Sequence, residues 1–177
     1  STNDRSGTWG PSCASPTVAS LRGQDRVFVL PGGKSRPATG GLMVLDPESG
    51  ELIAQHPFRS RTHESVNGAT PLVDADGAVY LTAAYNTGTA RVDIAEDGSL
   101  EQAWKNRRSG VEFSTPSLVD GALYMVVGAH DRAGAVVCMD TDTGEVRSRT
   151  DLYWDERVDH NDEWKDLPQS VVAGSMI

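Results

Sequence analysis

NGATPLVDADGAVYLTAAYNTGTARVDIAEDGSLEQAW, residues 67–104, holds four short apolar runs, each closed by a turn. Leu72-Val73 is the first, and Asp74-Ala75-Asp76-Gly77 turns it into Ala78-Val79-Tyr80-Leu81. Asn86-Thr87-Gly88 breaks that run, Thr89 to Ile94 alternates as a half-buried strand does, and Glu96-Asp97-Gly98 leads into Leu100 to Trp104. A single four-stranded sheet cannot bury both of its faces. The stretch therefore predicts copies of itself on either side.

Two copies are present. Upstream, Ala14-Ser15-Pro16-Thr17-Val18, a turn at Gly23, Arg26 to Leu30, the Pro31 to Gly40 loop, Leu42 to Leu45, the Asp46 to Gly50 turn and Glu51 to Gln55 follow the same order. Downstream, Ser114 to Val119, Asp120-Gly121, Ala122 to Val127, a His130 to Gly134 loop, Ala135 to Met139, the Asp140 to Gly144 turn and Glu145 to Arg149 repeat it. Pro16, Pro71 and Pro116 fill equivalent slots, as do Gly23, Gly77 and Gly121, and as do Asp46, Ile94 and Asp140. The proline spacings are 71 − 16 = 55 and 116 − 71 = 45, so the first copy carries an insertion, placed at Pro31 to Gly40. Proline lacks an N–H and belongs at a strand's first residue, whereas the Asp-Gly dipeptides suit tight reversals. A period of about 40 to 50 residues with four strands per unit predicts an all-β propeller of antiparallel blades. The expected blades are residues 12–60, 65–106 and 110–150, followed by an acidic connection at 151–168 and the start of a further blade at 169–177. The middle copy, flanked on both sides, is expected to be the best packed. About three blades fall short of a closed ring, so the remaining ones are expected from the same polypeptide or from another chain.

Composition narrows the function. A net charge of −9 argues against a nucleic-acid partner, since the only basic run is Lys105 to Arg108. No apolar run approaches the ~20 residues of a membrane helix. Cys13 and Cys138 match neither a disulfide framework nor a metal-ligand spacing. The sequence opens Ser1-Thr2-Asn3-Asp4, with no basic segment or apolar targeting core, so any leader is expected to lie upstream or to have been removed.

The Ser/Thr-Pro strand opening, the hairpin glycine and the Asp-x-x-[Ser/Thr]-Gly ending of the third strand (Asp46 to Gly50, Asp140 to Gly144) resemble the PQQ-like β-propeller repeat of the quinoprotein dehydrogenases. Trp104 to Arg108 followed by Phe113 to Tyr124 is similar to the non-enzymatic branch, which is found in secreted or periplasmic bacterial proteins and in the lipoprotein scaffold of outer-membrane protein assembly. The resemblance spans roughly Ser12 to Thr150. It implies a non-catalytic binding or scaffold propeller in the periplasm or outside the cell. The alternatives are the propeller portion of a quinone (PQQ)-dependent dehydrogenase and a sensor ectodomain. The family's fourth-strand Trp, which docks between blades, is replaced by Ala54 and Ser148, with a Trp nearby only at Trp104. Neither the dehydrogenases' vicinal cysteine pair nor residues matching their calcium ligands or catalytic Asp occur, so no cofactor is expected, with PQQ and calcium retained as alternatives.

Asp140-Thr141-Asp142-Thr143-Gly144 carries alternate carboxylates but reads as a β-turn, because Gly144 stands at the fifth position, too early for a calcium-binding loop. Asp155, Asp159 and Glu163 are spaced by four and, with His160, form a weak metal or partner candidate in what otherwise reads as a solvated connection. No nucleophile elbow occurs, and His56, His63, His130 and His160 are scattered over the chain. The best binding candidates are Ser12, Asn67 and Glu112, each three residues before the equivalent Ser15, Thr70 and Thr115, with Arg107 and Arg108 close by in sequence. They are expected on one rim of the propeller, facing a protein or small-molecule ligand or simply capping strand ends.

Overall fold

The structure is a computed structural model that describes residues 9–10, 12–62, 65–128 and 134–152. Residues 153–168 of the acidic connection, the expected start of a further blade, and His63 and His130 lie outside the described residues, and with them Asp155, Asp159, His160 and Glu163.

Three four-stranded antiparallel sheets follow one another along the chain. The first comprises β2 (Thr17–Leu21), β3 (Gln24–Val29), β5 (Gly41–Leu45) and β6 (Leu52–Pro57), hydrogen-bonded in that order. The second holds β7 (Leu72–Val73), β8 (Val79–Ala83), β9 (Gly88–Ile94) and β10 (Leu100–Asn106), and the third β11 (Ser117–Val119), β12 (Ala122–Val127), β13 (Ala135–Asp140) and β14 (Val146–Asp151). Each strand pairs with its predecessor in the repeat, so every connection is local, and the architecture is that of a partial β-propeller.

Alternation along β8 explains the stacking. Val79, Leu81 and Ala83 point into a core shared with Phe28, Leu30, Leu42, Val44 and Phe58 of the first repeat. Tyr80, with Ala78 just ahead of the strand, enters the opposite core beside Leu123, Met125, Val137 and Met139 of the third. A strand covered on both faces buries every residue, as all five of β8 are, whereas all six of β14 are exposed. Burying the side chains of β8 contributes about 1.5–3 kcal/mol for each large aliphatic or aromatic one.

The turns obey one chemistry. Asp46 Oδ1 accepts from Ser49 N at 2.8 Å and Glu48 N at 3.1 Å, and Asp140 Oδ1 accepts from Thr143 N at 2.8 Å and Asp142 N at 2.9 Å. Asp140 Oδ2 takes the Arg147 guanidinium, which holds this carboxyl far below the usual carboxylate range. The Asp140 loop is thus a side-chain-capped turn whose two carboxylate oxygens are both engaged within the chain.

Two sequence expectations are corrected. The Pro31 to Gly40 stretch is not solely loop, because β4 (Gly32–Gly33) pairs with β1 (Trp9–Gly10). Side-chain-free backbone makes the tight packing there possible: a Cβ on Gly33 would stand 2.2 Å from the Thr39 carbonyl oxygen. Ile94 is not the counterpart of Asp46 and Asp140. It faces Leu100 as Leu45 faces Leu52 and Met139 faces Val146, which makes Ala95 the counterpart and the middle turn one residue shorter. Trp104 lies near, not in, the slot of Ala54 and Ser148, as the sequence suggested. It pairs with Arg91 as His56 pairs with Leu42 and Thr150 with the equivalent Val136. Each sheet has one irregularity in this strand pair, at Val44/Leu45 in the first, Gln102/Trp104 in the second and Cys138/Met139 in the third.

Candidate functional site

The chain leading into each first strand begins on the rim that also carries the second-to-third strand turns and the ends of the fourth strands. Ser12 and Asn67 meet there: the Ser12 hydroxyl donates to the Asn67 carbonyl. The Asn67 side chain is turned inward and buried, its Nδ2 donating to the carbonyls of Pro31 and Phe58 at 3.0 Å each. Two carbonyl acceptors fix the amide's orientation and leave Oδ1 as a buried acceptor without a protein partner among the described residues.

Glu112 is held separately, accepting the Tyr85 hydroxyl across the gap to the second sheet. Arg107 and Arg108 are exposed where β10 ends, in a turn whose cap is Asn106 Oδ1, accepting from Arg108 N at 2.9 Å. The structure therefore unites Ser12 with Asn67 and leaves Glu112, Arg107 and Arg108 apart from that pair.

A cleft of about 280 Å³ opens between the first two lead-in loops, lined by Ser12, Cys13, Gly32, Gly33, Arg59, Ser65, Val66 and Asn67. Arg59 is its charged group. Nη1 donates to Ser65 Oγ at 2.8 Å, Nη2 to the Ser65 carbonyl, and Nε to the Gly33 carbonyl at 3.4 Å. Burial lowers the Arg59 pKa, the sign of a cation partly stripped of water. A guanidinium nonetheless stays ionised at neutral pH. Arg59 was not among the residues the sequence singled out. The signal lay in the repeat: Trp104 aligns with His56, so Arg107 aligns with Arg59, the copy that faces a cleft.

Hydrogen bonds between adjacent lead-ins hold the cleft walls. Ser15 N donates to Thr70 Oγ1 and Thr70 N to Thr115 Oγ1, both at 3.3 Å, while Thr17 Oγ1 donates to the Pro71 carbonyl at 2.8 Å. Equivalent residues make equivalent bonds, so the rim is set by the repeat itself. Trp104 locks the second junction from the opposite edge, its Nε1 donating to the Thr141 carbonyl at 2.9 Å. Arg91 adds an ion pair to Asp142 at 3.1 Å.

A family model described as outer membrane protein assembly factor BamB matches residues 4–152. The chain belongs to this PQQ-repeat family. Among solved structures, the quinohemoprotein alcohol dehydrogenase of Comamonas testosteroni superposes on 82% of the PQQ-repeat chain at 15% identity, with a TM-score of 0.58. The quinohemoprotein alcohol dehydrogenase ADHIIG of Pseudomonas putida HK5 covers 81% at 18% identity, with a TM-score of 0.56. At such identities the likeness establishes the propeller fold alone. The PQQ-repeat chain spans only 22% and 21% of those two proteins. No curated protein matches it in sequence. Among the described residues no helix is long and apolar enough to cross a membrane, and no three His, Cys, Asp or Glu side chains gather as a metal site.

Proposed function

We propose that the chain is part of a non-catalytic binding or scaffolding propeller of the bacterial periplasm or exterior, acting through the rim of its lead-in loops. The observation that carries this reading is the cleft between the first two sheets, where a half-buried guanidinium sits in a wall fixed by inter-sheet hydrogen bonds. The family's description as an outer-membrane assembly factor supports the location and the scaffold role. The remaining blades come from the same polypeptide or from another chain, in keeping with the small share of the larger propellers that this chain spans.

The second reading, a portion of a quinone-dependent dehydrogenase, draws on the names of the two similar structures. The described residues do not fit a multiply charged quinone acid. Such a ligand needs several cations on one wall, and among its described lining residues the cleft has Arg59 alone. The two cysteines are also far apart in the fold, Cys13 exposed ahead of the first sheet and Cys138 buried in the third. Calcium is not assigned to any group of described side chains.

Ligand-observed NMR with a mixed set of small molecules tests the rim reading, run on the chain before and after alkylation of Cys13, which blocks the cleft. Compounds whose signals depend on an open cleft support it. If blocking changes nothing for any compound, the rim reading fails. Incubation with PQQ and calcium tests the rival: retained quinone absorbance together with dye-linked alcohol oxidation would replace the scaffold reading.

A further inference from the structure

We infer that the cleft holds the carboxylate of a small organic acid, with the Arg59 guanidinium as its anchor. This rests on the rim-binding reading and adds the chemistry of the ligand.

Size comes first. At about 280 Å³ the cleft lies just below the roughly 300–1,000 Å³ of sites for drug-sized ligands, so it suits a molecule of amino-acid scale or smaller. Charge comes next. Among the described lining residues only Arg59 is a permanent ion, a local cation in a chain of net charge −9. Among the described residues its hydrogen bonds go to neutral oxygens, those of Ser65 and Gly33. A guanidinium has five N–H groups, and these bonds use three, leaving two for an incoming anion.

Those same bonds hold the guanidinium in place before any ligand arrives, so little side-chain entropy remains to be lost on binding. A half-buried cation facing neutral acceptors regains in an anion the electrostatic partner that water no longer supplies. One such cation balances one negative charge. A monocarboxylate matches it, whereas a phosphate dianion would ask for a second cation that none of the described lining residues provides.

Cys13 supplies a built-in reporter, exposed and on the cleft wall, while buried Cys138 reports the integrity of the fold. The experiment follows iodoacetamide alkylation of the intact chain by mass spectrometry, at constant ionic strength, with acetate against acetamide, lactate against lactamide, and inorganic phosphate. The expected result is that acetate and lactate slow Cys13 labelling, their neutral amides and phosphate do not, and Cys138 stays unlabelled. Arg59→Gln should raise the carboxylates' apparent Kd about tenfold or more, the worth of a lost charge-assisted hydrogen bond.

Equal protection in Arg59→Gln, or protection by amide and acid alike, overturns the carboxylate assignment and leaves the rim reading standing. If no solute affects Cys13 and the NMR screen is equally silent, both readings fall. Should Arg59→Gln expose Cys138, Arg59→Lys decides. It keeps the charge but loses the planar fork, so protection should weaken while Cys138 remains shielded; unchanged protection counts against the anchor.

Discussion

Replacing Gly144 with alanine should destabilise the chain more than the same replacement at Gly50, although the two residues end matching turns. Both have left-handed backbone, with φ of +71° and +69°, so an L side chain at either costs about 1–2 kcal/mol. At Gly50 the new Cβ would find nothing within 4 Å. At Gly144 it would stand 2.5 Å from Cε3 and 2.6 Å from Cδ2 of Trp104. The indole is not free to swing away, being tied by its bond to the Thr141 carbonyl and tilted against Tyr80 at 6.3 Å between ring centres. Overpacking adds about 1–3 kcal/mol, and losing the indole's hydrogen bond about 1 kcal/mol more. The expected totals are therefore about 1–2 kcal/mol for Gly50→Ala, from backbone strain alone, and roughly 3–6 kcal/mol for Gly144→Ala, from all three contributions. Urea denaturation followed by far-ultraviolet circular dichroism measures both, in the native background and with Trp104→Ala. Without the indole the two costs should agree to within about 0.5 kcal/mol. Equal costs in the native background, or a gap that survives Trp104→Ala, would refute the docking of Trp104 on the third sheet's turn.

Asn67→Ala should cost about 1–3 kcal/mol by taking the amide donor from the Phe58 carbonyl and leaving the Pro31 carbonyl with only the Gly41 N–H. Asn67→Asp should cost more at neutral pH, since a carboxylate would face two carbonyls. Its deficit relative to Asn67→Ala should shrink as acid protonates the new carboxyl, a trend that denaturation at stepped pH would reveal or deny. Tyr80→Phe should cost about 1 kcal/mol through loss of the 2.9 Å bond to Asp74 Oδ2. Burial, reinforced by Asp74, raises the Tyr80 phenol above its ordinary 10.0, so the unfolded chain ionises first. The native protein should lose stability as pH climbs past 10, and Tyr80→Phe should lose less. Asp140 is depressed from 3.8 by Arg147 and by the turn amides. Its contribution is complete above that value and disappears as pH falls through the lower folded pKa, so Asp140→Asn should flatten the acid limb of the stability profile; an unaltered limb would show the ion pair to be without effect.

The sheets were legible because their signals are local. Alternation in Thr89 to Ile94, Gly at the reversals and proline at strand openings each act within a few residues. Stacking was legible because the motif recurred at a spacing too short for independent domains. What escaped depended on small shifts or on remote chain. A turn shortened by one residue moved Ala95 off the correspondence that counting suggested, and it leaves no mark in composition. The pairing of Gly32 and Gly33 with Trp9 and Gly10 joins segments whose glycines look like loop when read alone. At the rim, equivalence pointed to Ser12 and Asn67, which one hydrogen bond joins. It did not reveal that the Asn67 amide turns inward, because that orientation is set by two carbonyls from the first repeat. Arg59 became visible only when a second loop closed over it.

The rungs from Ser15 to Thr70 and from Thr70 to Thr115 all run the same way, from a backbone amide in one sheet to a hydroxyl in the next. A series of this kind has unlike ends. Any sheet added beyond the third must present a hydroxyl to the amide of Thr115, and any sheet added before the first must offer an amide to the hydroxyl of Ser15. Two copies meeting through the same end would bring donor to donor or acceptor to acceptor. The lead-in loops thus give the array a direction of assembly, so that further sheets, whether in the same chain or another, join head to tail and a ring closes only when every unit faces the same way round.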